Sequence, residues 1–558
     1  MKHSDKKSGS LIYLSFFTSL ALIVPNVWLD ISEQYISVIG KIINVFLPFS
    51  FYLFLTTVFR RSGWGTIASI PFMVFAAFQI VLLYLYGESI IAVDMFLNVV
   101  TTDFEEATTL LGNLAPAIVF VCIIYLPVIV WGIIAVVKHW VIPHYTRLVT
   151  LSWSSLVLVI SGILLLITSL NHHTVPDRDI FPVNVINNIC LAVKRDRQAR
   201  LYPQSADAFK YDAVSNDSTK KIIAIIIGET ARPDRWEIFG AKRPTNPKLS
   251  KRNDLILFEN AITQSNTTHK SVPMLLTPLT SENFNELNNY KSIITAFKEA
   301  GYQTSWLSNQ PPNGAYNEHI GYEADTTLFY KYISDLELVK KAGELLASRD
   351  TTKSQLIVLH TYGAHFPYSQ RYEGIAPTFT PDAPMMAKKD NRDALLNAYD
   401  NATIVTDAAI DSFINVIDRL SPESFMIYAA DHGEDIFDDY RNKFLHASPA
   451  PTYYQLRVPM FIWASESLAE KKNIPLKTEP HRKAPVSPAQ VIFHTVLDVA
   501  DISTPYMDST RSLISDDYKT LPLMYLTDRN ENVPLASSGL RKIDTENFEK
   551  DGIDISKE

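Results

Sequence analysis

Apolar residues are concentrated in the first third of the chain. Five runs of about 20 mostly apolar residues predict transmembrane helices at residues 11–29, 38–59, 66–86, 116–137 and 148–170, because each run is long enough to cross the hydrocarbon core of a bilayer. From about residue 178 onward, polar and charged residues are mixed with short apolar segments. The pattern therefore predicts a five-helix membrane domain at residues 1–170, followed by a water-soluble part.

Charged residues between these runs predict how the chain crosses the membrane. Lysine and arginine precede the first run, follow the second and lie between the fourth and fifth, whereas the alternate loops are mainly acidic. The positive-inside rule then places the N-terminus in the cytoplasm, and an odd number of crossings places the C-terminal part outside. A cleaved signal peptide at residues 11–29 is the alternative, but no clear small-residue cleavage site follows that run.

The segment between the third and fourth runs carries a different apolar pattern. Residues 88–115 predict an amphipathic helix in the membrane interface. Asn98, Thr102 and Glu106 are four residues apart, so they share one face of that helix. The segment is either a simple connector or the holder of polar groups that meet a lipid headgroup. Residues 171–219, with three prolines and no sustained periodicity, predict a linker with one short helix.

The periodicity changes again in residues 220–558. Short runs rich in β-branched and aromatic residues predict strands at 221–227, 255–261, 303–307, 355–359, 425–430 and 458–463. Amphipathic segments predict helices at 290–300, 393–420 and 488–500. This alternation is typical of α/β domains, so we expect a mostly parallel sheet flanked by helices, with the carboxyl ends of its strands along one edge.

Several polar side chains lie where predicted strands end. The first strand is an unbroken apolar run, which is typical of a central strand covered on both faces. Taken singly, each such side chain is more often a surface or hydrogen-bonded group than a ligand. Together they form a carboxylate and imidazole set suited to a catalytic zinc site. They are Glu229, Thr230, His360, His365, Asp431, His432 and Glu434, with His446 further along the chain.

A candidate nucleophile lies in the segment QSNTTHKSVPMLLTP, residues 264–278. Its hydroxyl groups come shortly after a predicted strand and before a helix-like apolar run. A threonine at a helix N-terminus beside a cation would have its alkoxide stabilised by the helix dipole and by the metal. The alternative is that Thr267 or Thr268 only caps the helix, although one threonine can do both.

The net charge limits the possible binding partners, and the cysteine content predicts whether the chain has disulfides. The formal net charge of −8 argues against a nucleic-acid partner, because phosphate backbones require a basic surface. The two cysteines, Cys122 and Cys190, lie within an apolar run and beyond the last one. We therefore expect two free thiols and no disulfide framework in the soluble part.

Seven short motifs, taken together, resemble one enzyme family. In chain order they are NVVTTDFEEA, GETARPD, TNP, NTTHKSVP, HTYGAH, ADHGE and FLHAS. With five apolar runs, this set is similar to the bacterial membrane-anchored phosphoethanolamine transferases of the alkaline phosphatase and sulfatase superfamily. The resemblance covers nearly the whole chain. SVPMLLTP lacks the cysteines of the disulfide-rich lipid A type, so the chain looks closer to the branch that modifies lipopolysaccharide core sugars.

The resemblance implies roles for individual residues. Thr268, rather than Thr267, corresponds to the nucleophile, because the family places it three residues before the serine of SVP. The family's two further histidines contact the phosphoethanolamine group or a second zinc ion, and take part in proton transfer. The implied zinc ligands are Glu229, Thr268, Asp431 and His432; the further histidines are His365 and His446; the headgroup-binding residues are Asn98, Thr102 and Glu106.

The resemblance also implies a reaction and a location. Phosphoethanolamine would pass from phosphatidylethanolamine to Thr268 and then to a lipopolysaccharide acceptor, either a core sugar or lipid A, with release of diacylglycerol. The cofactor would be one tightly bound Zn²⁺, with a second ion as an alternative. We expect a monomeric inner-membrane protein with a periplasmic catalytic domain. The alternatives are a phosphoglycerol transferase of the lipoteichoic acid type, a membrane-anchored sulfatase or phosphatase, and a metal-stabilised receptor.

Overall fold

The computed structural model of the chain describes residues 5–32, 37–86, 93–101, 104–170, 180–312, 314–331, 333–384 and 387–556. The chain divides into two compact units. One groups the N-terminal residues through Phe96 with Ala107–Ala192 and Asp439–Lys443. The other groups Leu97–Glu106, Val193–Asp438 and the residues from Phe444 onward.

The N-terminal part of the chain is helical. Among the residues that the structure describes, four helices are long and apolar enough to cross a membrane, or up to five if a bent pair counts as one span. The helices are Asp5–Leu22, Val24–Ser32, Val38–Val58, Ser62–Ala68, Ile70–Tyr86, Val93–Thr101, Phe104–Val137, His144–Leu170 and Val183–Ser205.

Three predicted segments differ from the structure. The third predicted span, residues 66–86, is two helices, and Ser62–Ala68 and Ile70–Tyr84 meet at an angle of 49°. Pro71 has no N–H to donate to the preceding turn, so the helix breaks at Ser69. Within the predicted interfacial segment 88–115, the structure has Val93–Thr101 and the first turns of the much longer helix Phe104–Val137. The predicted linker 171–219 contains the 23-residue helix Val183–Ser205.

A seven-stranded sheet forms the centre of the second unit. In chain order its strands are β1 (Ile222–Gly228), β2 (Leu255–Leu257), β3 (Gln303–Ser308), β4 (Thr326–Phe329), β5 (Gln355–His360), β6 (Ser424–Ala430) and β7 (Met460–Ala464). The spatial order is β2-β7-β6-β1-β5-β3-β4. Strands β6, β1, β5, β3 and β4 are parallel, and β7 is antiparallel to both of its neighbours.

Burial explains why β1 lies at the centre of the sheet. All seven of its residues are buried, because parallel neighbours cover both edges and helices cover both faces. The α-helices of this unit are Thr268–Leu276, Ile293–Glu299, Tyr316–Gly321, Asp335–Ala347, Arg392–Leu420, Tyr453–Leu456, Glu466–Lys472, Ile474–Thr478, Pro488–Val499 and Lys542–Lys550. Three short strand pairs complete it: Val214–Ser215 with Ile502–Ser503, Asp435–Ile436 with Phe444–Leu445, and Met524–Leu526 with Asn532–Pro534.

The predicted fold class, apolar N-terminal helices followed by an α/β domain with a mostly parallel sheet, is confirmed. The long helix predicted at 393–420 is Arg392–Leu420, whereas the strand predicted at 255–261 is only Leu255–Leu257. Strand β4 and the helix Asp335–Ala347 were not predicted. Both cysteines are free thiols, as expected.

Candidate metal and nucleophile site

The register of the sheet brings two predicted ligands to neighbouring strand ends. Gly228, the last residue of β1, pairs with Ala430, the last residue of β6. Glu229 and Asp431 therefore leave the sheet side by side, and His432 follows immediately. A side chain at position 228 has no room, because a Cβ there would lie 2.2 Å from the hydroxyl of Tyr428. The close packing of these strand ends fixes where both carboxylates emerge.

Thr268 lies beside Glu229 and His432 and comes from a helix rather than from a strand end. It is the first residue of the helix Thr268–Leu276, and Thr267 is the N-cap, with extended φ and ψ and no side-chain capping bond. The hydroxyl of Thr267 lies 3.2 Å from that of Ser265. Thr268 is therefore in the first turn of this helix, where the positive end of the helix dipole favours negative charge.

Four side chains meet at distances that suit one metal ion. Thr268 Oγ1 lies 3.4 Å and 3.3 Å from the two carboxylate oxygens of Glu229 and 3.2 Å from His432 Nε2. His432 Nε2 lies 3.4 Å from Glu229 Oε1 and 3.4 Å from Asp431 Oδ2. Donor atoms placed tetrahedrally around zinc at about 2.0–2.1 Å are about 3.3–3.4 Å apart. The observed spacing therefore fits a tetrahedral zinc site.

The buried negative charges at this site would also be stabilised by a bound cation. Glu229 and Asp431 are fully buried, and Asp431 Oδ2 has no hydrogen-bond partner among the described residues. Burial raises the pKa of Asp431 to about 7. Burial and the nearby charge of Asp431 raise the pKa of Glu229. Two adjacent buried carboxylates are costly to ionise unless a positive charge compensates them.

Hydrogen bonds to backbone carbonyl oxygens define the tautomers of His432 and His365. His432 Nδ1 lies 2.9 Å from the carbonyl oxygen of Gly433, and His365 Nδ1 lies 2.6 Å from that of Phe366. A carbonyl only accepts, so each Nδ1 carries the proton, and the lone pair of His432 Nε2 points away from that bond and is available to a metal. Burial lowers the pKa of His432, so its ring is neutral, as a metal ligand requires.

The further predicted histidines line the same site. The ring of His446 is 4.1 Å from that of His432, and 6.1 Å from that of His365, measured between centroids. His360 is buried, and its Nε2 lies 4.0 Å from Glu229 Oε2. The structure thus brings together the predicted site residues between Glu229 and His446, although their roles stay predictions. Thr102 lies outside the described residues, as do the side chains of Asn98 and Glu106.

Two residues of the site were missed in the sequence. Gln310 donates from Nε2 to Glu229 Oε2 at 2.9 Å, and the hydroxyl of Tyr368 donates to Glu434 Oε1. Gln310 follows the end of β3, so the strand-end rule that selected the other residues would have selected it too. Tyr368 lies in a short 3₁₀ segment, Tyr368–Tyr372, and no pattern in the sequence singles it out.

Gly363 packs closely against the backbone of Glu229. Its φ is +53°, and a Cβ at this position would lie 2.4 Å from the carbonyl oxygen of Glu229. We expect Gly363→Ala to lower the free energy of unfolding by about 2–4 kcal/mol and to weaken metal binding, because the backbone of Glu229 must move. Thermal unfolding and zinc titration of the full chain measure both effects.

Gly374→Ala is the matched control for that substitution. Gly374 also has a positive φ, +77°, but an added Cβ would meet no atom within 4 Å. Gly374→Ala should therefore lower the free energy of unfolding only by the backbone strain, about 1 kcal/mol, and leave zinc binding unchanged. Equal losses in the two variants would contradict the role given to the contact with Glu229.

Comparisons with known proteins identify the family. The family model described as Sulfatase matches residues 221–502, about half of the chain. Phosphoethanolamine transferase EptC of Escherichia coli strain K12 is 27% identical over 316 residues, covering 54% of each chain. Kdo(2)-lipid A phosphoethanolamine 7''-transferase of the same strain is 30% identical over 331 residues, covering 56% of each chain. The chain thus spans about half the length of these curated relatives.

Solved structures share the fold. The integral membrane protein lipooligosaccharide phosphoethanolamine transferase A from Neisseria meningitidis matches 91% of this chain and 98% of its own, with a TM-score of 0.69 and 20% identity. The C-terminal periplasmic domain of EptC from Escherichia coli in complex with Zn matches 59% of this chain and 98% of its own, with a TM-score of 0.50 and 22% identity. The matched residues 221–502 contain the four side chains that meet at the strand ends, and over this stretch the chain belongs to the sulfatase family.

Proposed function

We propose that this protein is a zinc-dependent phosphoethanolamine transferase that uses Thr268 as its nucleophile. The observation that carries the proposal is the position of the Thr268 hydroxyl, at a helix N-terminus and 3.2–3.4 Å from His432 and Glu229. The names of the curated relatives support the transferred group. The zinc complex of a domain with the same fold supports the metal.

The residues present fit a zinc ion. Glu229, Asp431 and His432 offer ligand atoms within 4.8 Å of one another, and Thr268 supplies a fourth oxygen. Oxygen and nitrogen ligands at tetrahedral spacing suit zinc. When bound, zinc lowers the pKa of a coordinated hydroxyl and neutralises charge on phosphoryl oxygens. One ion is enough for this set, and His365 with His446 could hold a second.

In the first half-reaction Thr268 is the attacking group. Its Oγ1 forms a bond to the phosphorus of phosphatidylethanolamine and gives up its proton, while the bond from phosphorus to the glycerol oxygen breaks. The glycerol oxygen takes up a proton and leaves as diacylglycerol. The product on the protein is a phosphoethanolamine ester of Thr268. The dipole of the helix Thr268–Leu276 favours the negative charge that develops on Oγ1.

In the second half-reaction the acceptor replaces the threonine. A hydroxyl or phosphate oxygen of the lipopolysaccharide attacks the phosphorus, and Thr268 Oγ1 leaves and is reprotonated. His365 and His446 are the groups we assign to proton transfer and to contact with phosphoethanolamine, since the ring of His446 lies beside that of His432 and the ring of His365 lies beside that of His446. Burial lowers the pKa of both rings, so each starts neutral and can accept a proton.

The membrane part fits this chemistry, because the donor and the released diacylglycerol are both lipids. We propose an inner-membrane protein with a cytoplasmic N-terminus, a membrane domain at residues 1–170, a linker at 171–219 and a periplasmic catalytic domain at 220–558. The headgroup would contact Asn98, Thr102 and Glu106. We propose a monomer that modifies either a core sugar or lipid A, with the absence of cysteines near Thr268 favouring the core sugar.

A covalent adduct tests the proposal directly. The zinc-loaded full chain would be incubated with phosphatidylethanolamine, and the peptide that contains Thr268 analysed by mass spectrometry. We expect an added phosphoethanolamine on Thr268 and one diacylglycerol per adduct. A phosphoglycerol adduct formed from phosphatidylglycerol instead would identify a phosphoglycerol transferase. Hydrolysis of a soluble sulfate or phosphate ester without any lipid adduct would overturn the transferase assignment.

A further inference from the structure

The carboxylate of Glu229 is held from both sides. Gln310 Nε2 donates to its Oε2 at 2.9 Å, and Thr230 Oγ1 donates to its Oε1 at 2.9 Å. Gln310 Nε2 also donates to the carbonyl oxygen of Thr361 at 3.0 Å. Each carboxylate oxygen of Glu229 thus has one lone pair occupied by a fixed donor. The remaining lone pairs face Thr268 and His432, which lie 3.3–3.4 Å away.

The backbone that carries Gln310 is itself fixed. Ser308 Oγ accepts from the N–H of Gln310 at 3.1 Å and donates to its carbonyl oxygen at 3.3 Å. Ser308 is the last residue of β3 and is buried. The neighbouring side chain, Asn309, donates to Asp335 Oδ1 at 2.9 Å and to the carbonyl oxygen of Ile333 at 3.2 Å. These bonds fix the backbone from Ser308 to Gln310, directly after β3.

Asp335 connects this loop to the loop after β5. Its Oδ1 also accepts from the N–H of Tyr362 at 3.0 Å, and its Oδ2 accepts from the N–H of Gly363 at 3.1 Å and from Thr406 Oγ1 at 3.1 Å. Asp335 is only 4% exposed, so these bonds are shielded from water. One buried carboxylate thereby sets the separation of the two loops that hold Gln310 and pack behind Glu229.

We propose that Gln310 is a positioning residue that holds Glu229 in the orientation in which it binds the metal and faces Thr268. This inference rests on the proposed function, because it gives Glu229 the role of a ligand. A ligand that is already oriented loses little conformational freedom when the metal binds, and partners behind metal ligands are worth about 10- to 100-fold in metal affinity or activity. Among the described hydrogen bonds of Gln310, the bond to Glu229 is the shortest, at 2.9 Å.

Gln310→Met tests this role, because methionine keeps the length of the side chain and removes the donor. We expect zinc affinity, measured on the full chain by competition with a chelator, to fall about 10- to 100-fold. We expect the rate of adduct formation at saturating zinc to fall by a similar factor, with the KM for phosphatidylethanolamine nearly unchanged. A loss confined to unfolding temperature would show a structural role only and would overturn the proposal.

Gln490→Met is the matched control. Gln490 is also a largely buried glutamine that donates to a backbone carbonyl, that of Pro522 at 3.2 Å, but it lies in the helix Pro488–Val499. It should lower stability to a similar extent and leave zinc affinity within about twofold of the wild type. An equal loss of zinc affinity in both variants would mean that general destabilisation explains the effect.

Gln310→Glu tests whether the side chain at position 310 acts as a hydrogen-bond donor to Glu229 or as a metal ligand. A carboxylate at position 310 cannot donate to Glu229 when ionised and repels it, so zinc affinity should fall at least as far as in Gln310→Met. Tighter zinc binding would show that the side chain at position 310 reaches the metal itself, which would overturn the positioning role. If the wild type binds no zinc and forms no adduct, the proposed function fails instead, and the two failures are thereby distinguished.

Discussion

Thr268→Ala is expected to abolish the phosphoethanolamine adduct and to lower transferase turnover by more than about a thousandfold. No other hydroxyl stands both at a helix N-terminus and within 3.2 Å of His432 Nε2 among the described hydrogen-bonding groups. Without Oγ1 no ester can form, and the metal and the binding surface alone retain only a small part of the rate enhancement. Intact-protein mass spectrometry after incubation with phosphatidylethanolamine measures the adduct.

Thr267→Ala is the control for that experiment. Thr267 is the same residue type, one position earlier, and its hydroxyl lies 3.2 Å from that of Ser265, whereas the hydroxyl of Thr268 lies beside the proposed metal ligands. We expect adduct formation within about threefold of the wild type, because the N-cap side chain makes no capping bond that could be lost. If Thr267→Ala abolished the adduct while Thr268→Ala retained it, Thr267 rather than Thr268 would be the nucleophile.

Removal of the metal should have a comparably large effect. We expect a chelator to reduce transfer to a few per cent or less, and added zinc to restore it. The metal-free site leaves Glu229 and Asp431 buried side by side, so it should also be less stable. At a free zinc concentration about a thousandfold above its Kd, binding would add about 4 kcal/mol to the free energy of unfolding. Differential scanning calorimetry with and without zinc measures this difference.

Asp431→Asn and Asp438→Asn form a matched pair for the metal experiment. Asp431 would bind the metal, whereas Asp438 pairs with the buried Arg232 at 2.7 Å. Asp438→Asn breaks a buried ion pair and should lower stability. Asp431→Asn removes a buried carboxylate that has no cation beside it without metal, so it should not lower the stability of the metal-free protein. Only Asp438→Asn should still respond to zinc and chelator. A normal zinc response in Asp431→Asn would exclude Asp431 as a ligand.

The zinc-dependent stabilisation should depend on pH in a defined direction. Burial raises the pKa of Asp431 from 3.8 to about 7 in the absence of metal. A raised carboxyl pKa means that the native state binds the proton more tightly than the unfolded state, so this contribution to stability is present at low pH and is lost as pH rises towards about 7. Zinc requires the ionised carboxylate. The stabilisation by zinc should therefore grow between about pH 5 and about pH 7.

The strand ends show how much of the site could be predicted from the sequence. Glu229, Asp431 and His432 directly follow apolar runs, and the rule that parallel strands present their carboxyl ends at one edge was sufficient to place them together. Gln310 satisfies the same rule after β3, yet an amide is not a typical metal ligand, so the sequence does not mark it as part of a metal site. Its importance depends on a hydrogen bond to another loop, which no local pattern encodes.

The local sequence determined the apolar helices, the buried strand Ile222–Gly228 and the polar residues after it, because burial and periodicity act over neighbouring residues. The resemblance indicated Thr268, but only the tertiary structure shows that its hydroxyl faces the proposed metal ligands. The tertiary structure alone decided which nitrogen of His432 is available and that Gln310 and Gly363 pack against Glu229. These features arise from contacts between segments up to about 200 residues apart, such as Glu229 with His432. Their geometry is set by how the sheet and its loops pack, and that packing depends on the whole domain.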